Sequence, residues 1–141
     1  MKSLFKLVGA SALLCLCFAI PGSAQILNGL TFTTTFPFYA GNTKLPAGAY
    51  TVRPVDFGSD TLVIEDSTGK HSAFIDIEPT QTEPAHKSGD VTFHKYGEID
   101  FLNRLWVGGQ QYGMQVEQTK YEKKLAASGV PQTHSVPGTA K

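Results

Sequence analysis

From Leu30 to Val116 the chain alternates short runs rich in Thr, Val, Ile, Phe and Tyr with glycine-bearing turns, a spacing that commits it to a β fold. The runs predict strands over 30–38, 49–55, 61–65, 71–77, 90–94, 98–107 and 112–116. No stretch before residue 117 carries helical periodicity, so strands do not alternate with helices, which argues against a parallel βαβ sheet. About seven short strands in this length predict a mainly β domain, a small antiparallel β-sandwich or a partly open β-barrel, with the sandwich favoured.

The turns predict the registers. Ser67-Thr68-Gly69 and Lys95-Tyr96-Gly97 read as three-residue hairpin loops that end on a left-handed glycine. This sets Asp66 opposite Lys70 and Leu62 opposite Phe74. In the second hairpin it sets Phe93 opposite Ile99, Val91 opposite Phe101 and His94 opposite Glu98, with His71 similarly opposite Glu65 in the first. Leu45-Pro46-Ala47-Gly48 and Gly108-Gly109 mark further turns. Residues 79–89 are polar, hold two prolines and read as an exposed crossover. Thr119-Lys120-Tyr121-Glu122 fits a capping box and opens a short helix from Lys120 to about Ser128. Residues 129–141 show no apolar pattern and are expected to be disordered.

The chain begins with Lys2 and Lys6, an apolar run from Leu7 to Ile20, and Pro21-Gly22-Ser23-Ala24. This is the pattern of a cleaved secretory signal over 1–24, with the cut after Ala24 and a periplasmic or secreted destination. Leu14 and Leu16 precede the two cysteines, which argues against a lipid-anchored variant. Both Cys15 and Cys17 leave with the signal, so the β domain over 25–128 and its tail are disulfide-free and carry no thiolate chemistry. The 117 residues that remain have ten basic and twelve acidic side chains, scattered rather than clustered. Nucleic-acid binding has no electrostatic footprint here, and no membrane span follows the signal.

No motif carries catalysis. His71, His86, His94 and His134 lack metal-ligand spacing, no GxSxG elbow exists, and Glu98 with Asp100 is an ordinary pair on one strand face. The expectation is a non-enzymatic protein with no cofactor and no metal. Aromatics are the remaining candidates. Trp106 shares strand parity with Asp100, Leu102 and Arg104, the parity of the outer face. Two readings compete: the terminal helix roofs Trp106 with Tyr121 and Leu125, or Trp106, Arg104 and Tyr112 form a binding patch.

Phe38-Tyr39-Ala40-Gly41, Leu45-Pro46-Ala47-Gly48-Ala49-Tyr50-Thr51-Val52, Phe93-His94-Lys95-Tyr96-Gly97, Phe101-Leu102 and Trp106 together resemble a family of small secreted bacterial β proteins whose function is not established. The resemblance covers most of 36–107 and departs at Ala49, where members usually carry glutamate. It implies a signal peptide and a compact β domain, and it supplies no catalytic residues. The sequence thus points to an exported, envelope-associated binding or structural module whose partner is an unidentified protein or envelope component. The alternative is a small barrel that carries an apolar ligand among its aromatics.

Overall fold

The computed structural model describes residues 29–81 and 87–140; the signal segment, and the part of the expected crossover over 82–86, lie outside the described residues. Ten strands and one helix follow in order: β1 (Leu30–Thr34), β2 (Phe38–Ala40), β3 (Thr43–Leu45), β4 (Gly48–Pro54), β5 (Thr61–Asp66), β6 (Ser72–Gln81), β7 (Gly89–Tyr96), β8 (Ile99–Trp106), β9 (Tyr112–Val116), α1 (Lys120–Ala126) and β10 (Gln132–Ala140).

Eight of the strands close on themselves. The order β8-β7-β10-β1-β4-β5-β6-β9 returns to β8 through the β8–β9 pairing, and every neighbour in that ring is antiparallel. The molecule is therefore a closed β-barrel and not the sandwich favoured from the sequence. Closure removes the edge strands that a sandwich would have to protect. The β2–β3 hairpin stands outside the ring. Tyr39 pairs with Phe101 in parallel, using the half of β8 that β9 leaves unpaired. The hairpin turn also approaches β6 closely, where a Cβ on Gly41 would lie 3.2 Å from the Phe74 carbonyl.

The C-terminal segment differs most from expectation. Residues 132–140 of the expected disordered tail form β10, which pairs with β1 over Leu30–Phe32 and with β7 over Gly89–Lys95. Its inward positions include Val136 and the buried Gly138 but no large buried apolar side chain. Gly89 and Gly138 face each other so closely that a Cβ on Gly89 would stand 2.1 Å from the Gly138 carbonyl oxygen. The strand is held by its backbone ladder on both sides, so it lacks the apolar alternation from which strands are read. Pro79 to Gln81, expected in the crossover, instead extend β6.

Both predicted hairpin registers shift. The β7–β8 turn has two residues, Gly97-Glu98, between the paired Tyr96 and Ile99, and Gly97 supplies the positive φ (63°) at its first position. Phe93 consequently faces Leu102, and His94 faces Phe101 rather than Glu98. A β-bulge then inserts Asn103, so that Thr92 faces Arg104 and Val91 faces Leu105. The bulge reverses the parity of β8 midway. Leu102 and Leu105 both enter the core, whereas Phe101 and Arg104 share the outer face. In the β5–β6 hairpin, Asp66 donates its N–H to the His71 carbonyl around a four-residue loop, and the Asp66 carboxylate accepts from Thr68 Oγ1 at 3.0 Å. That longer loop sets Val63 against Phe74 and Glu65 against Ser72, leaving Phe74 66% exposed on the outside.

The barrel interior is a packed core. Phe38, Phe93, Leu30, Leu45, Leu62, Ile64, Leu105, Val52 and Val91 are its largest fully buried side chains. Phe32, Phe38, Tyr50 and Phe93 meet at ring-centroid distances of 5.3–6.2 Å, in mostly tilted or edge-to-face contacts that suit the ring quadrupoles. Tyr50 closes the turn before β4 by donating its hydroxyl to the Pro46 carbonyl. Burial, and secondarily Asp66, hold that phenol above its ordinary value.

Candidate functional site

The outer face of β7–β8, with α1 and β2 beside it, gathers most of the chemistry-bearing side chains. The bulge at Asn103 places Phe101, Arg104 and Trp106 on this face, and β7 adds Thr92, His94 and Tyr96. Tyr39 of β2 stacks on Phe101 at 5.1 Å and 20°. Tyr121 of α1 meets both rings edge-on at 5.5 and 5.6 Å, and Tyr96 meets Phe101 at 5.8 Å. A continuous aromatic seam thus fastens the helix and the β2–β3 hairpin to the barrel wall.

The predicted cap is present: Thr119 Oγ1 accepts from the Glu122 N–H at 3.2 Å, and α1 ends at Ala126. Glu122 is the buried residue of the helix, 4% exposed. Burial pushes its carboxyl up to about 7, against a smaller opposing contribution from a hydrogen bond with Gln118. Tyr96 is raised by burial and, secondarily, by the Glu122 carboxyl. The helix uses Tyr121 on Tyr39 and Phe101, a roof over a part of β8 different from the one expected.

Of the three residues proposed from the sequence, Arg104 and Trp106 share a face two positions apart. Trp106 is only 5% exposed, and its ring lies across Gly113 of β9, where a Cβ would come within 2.4 Å of Cε3. It fills the wall instead of projecting from it, and Gly113 is the residue that makes room. Tyr112 has the opposite parity, that of the inward-facing Met114 and Val116, and sits exposed at the strand end. The three do not form one patch.

Sequence reasoning missed a second arrangement. At one mouth of the barrel His134 Nε2 is hydrogen-bonded to Asp100 Oδ1 at 2.5 Å, joining β10 to β8 across β7. The Asp100 side chain is 5% exposed, and the imidazole packs 4.8 Å from Phe36 and 5.7 Å from Phe93. The pair satisfies a buried carboxylate and latches the last strand into the barrel. No apolar alternation marks His134 as part of a strand, so its pairing is not legible in the local sequence.

Two further features bear on ligands. An open groove of about 370 Å³ lies along β10, β1 and β4, lined by Thr31, Thr33, Thr51, Thr139 and Pro137 together with the core residues Phe32 and Tyr50. Among the described residues no group of three or more His, Cys, Asp or Glu side chains is placed to hold a metal, and no helix is long and apolar enough to cross a membrane.

The fold and the filled interior define a small closed antiparallel β-barrel with a helical strap. No family model, no curated protein and no solved structure matches the chain.

Proposed function

We propose that this protein is an exported, non-catalytic β-barrel domain that acts through its outer surface as an envelope-associated binding or structural module. The observation that carries this reading is the occupied interior. Where a carrier keeps a cavity, Phe38, Phe93, Leu45, Leu62, Ile64 and Leu105 interdigitate with exposures below 2%. Eight strands enclose a space that side chains alone can fill. The export signal over 1–24 and the scattered, nearly balanced charge support a periplasmic or extracellular setting and a protein or envelope partner.

Native mass spectrometry of the full chain, produced by export and gently purified, tests this reading. The expected mass is that of Gln25–Lys141 with no retained small molecule. An added mass that survives buffer exchange and is released on unfolding would move the protein to the carrier class, and an intact residue 1 would remove the export argument.

A further inference from the structure

We propose that Thr92, His94 and Arg104 form a binding site for a small oxyanion on the outer wall of the barrel. Thr92 Oγ1, His94 Nδ1 and Arg104 Nε are each buried without a hydrogen-bond partner. Their clustering is dictated by the ladder. Thr92 faces Arg104 across β7–β8, and His94 lies two residues along the same face of β7. Thr92 is 9% exposed, so water does not compensate its hydroxyl as it would on an open surface.

Two acids share this outer face, Asp90 one pair along from Arg104 and Glu78 beyond Gln115, and neither forms an ion pair with the guanidinium. Ser135 stands opposite Thr92 and Thr133 opposite His94 on the β10 side; Phe101 stands opposite His94, and Gln115 opposite Arg104. None of these four directly opposed residues carries a negative charge. The ion pairs among the described residues are Arg53–Glu65 and His134–Asp100, and Arg104 enters neither. The guanidinium is therefore held in a half-buried wall with uncharged cross-strand partners.

The donor inventory selects the ligand. Arg104 Nε–H can only donate, the Thr92 hydroxyl is free to donate, and a neutral imidazole donates from Nδ1 in one tautomer. Burial and, secondarily, the Arg104 guanidinium hold His94 below its ordinary 6.5, so near neutral pH these three neighbours carry one positive charge, on Arg104. A cation would be repelled, and an apolar group would leave all three donors unmet. A phosphate, sulfate or carboxylate group satisfies them with charge-assisted bonds. Buried donors are rarely left unpaired, and these three occupy neighbouring positions on one face.

This inference rests on the binding-module reading and gives it a ligand class, yet it fails separately, because the mass measurement interrogates the interior and this one the wall. Sodium phosphate, sulfate and acetate are each titrated at constant ionic strength, against chloride, while NMR follows the Arg104 Nε–H and the His94 ring. Saturable shifts of both groups are expected, with an affinity that falls roughly tenfold or more in R104Q and in T92V. T92V keeps the shape of the side chain and serves if R104Q does not fold. Saturation by phosphate and sulfate alone would assign a tetrahedral oxyanion; saturation by acetate as well would extend the class to carboxylates. Shifts that fail to saturate with any of the three anions, or that persist unchanged in the folded variants, would overturn the site.

Discussion

Ending the chain at Gly129 is expected to abolish the fold, although it removes only a segment whose composition reads as an unstructured tail. β10 is hydrogen-bonded to β1 on one side and β7 on the other, and Thr31 Oγ1 adds a bond to the Thr139 carbonyl at 3.1 Å. Its loss would open the ring between β1 and β7, bare two strand edges and expose the core at Leu30, Val91 and Phe93. It would also strip Asp100 of its hydrogen-bond partner His134, stranding a buried carboxylate. Each of these losses is comparable with a substantial share of the roughly 5–15 kcal/mol that holds a small domain together. Near-UV circular dichroism and thermal melting of the truncated chain should show lost tertiary signal and no cooperative transition. A truncated chain that melts cooperatively near the intact midpoint would mean that the barrel does not depend on β10.

Glu122→Gln should stabilise the protein, and only in one direction of pH. The buried carboxyl is held at about 7 in the folded chain, against an ordinary 4.5. Below pH 4.5 both states bind the proton and the group has no effect. Between there and about 7 the folded state retains a proton that the unfolded chain releases, so stability falls as pH rises, and above about 7 the full penalty persists. Glutamine keeps the shape and the hydrogen-bonding capacity without the charge. The expected gain is near zero at pH 4, grows through this window and levels off at about 3 kcal/mol above it. Urea melts of both proteins across this range check the sign and the plateau. Equal stabilities at pH 8 would show that the carboxyl under α1 is solvated.

The contrast between what the residues announced and what they concealed follows from the source of each element's stability. β4, β5, β8 and β9 lie within a residue or two of their expected bounds, since each buries several apolar side chains and ends at a strong turn. Thr119 announced α1 by its capping pattern for the same local reason. β3, with three residues, and β10, with a glycine at its tightest contact, bury too little apolar side chain to declare themselves. The shifted registers have a different origin. A loop lengthened by one residue at Asp66–His71 and shortened at Gly97-Glu98 each moves the partner strand to its other face.

The candidate sites were legible only in part. Arg104 and Trp106 were placed on the outer face by simple alternation, and the structure keeps them there because the bulge lies on their N-terminal side. Phe101, Leu102 and Asp100 come before the bulge, so the same alternation assigned them to the wrong faces. With Phe101 turned outward, the aromatic seam under α1 could not be foreseen; with Asp100 turned inward, neither could its bond to His134. Pairings between β10 and the rest of the barrel are long-range, and no local pattern encodes them.

Closure by β10 is the claim on which the packed interior and the outer-surface function both depend. Amide hydrogen exchange of the intact protein, resolved by residue, measures it directly. Protection across Thr133 to Val136 is predicted to match that of β1 and of Val91 to Phe93 in β7, because all three strands open together. Rapid exchange throughout 132–140, with β1 and β7 still protected, would contradict a closed barrel.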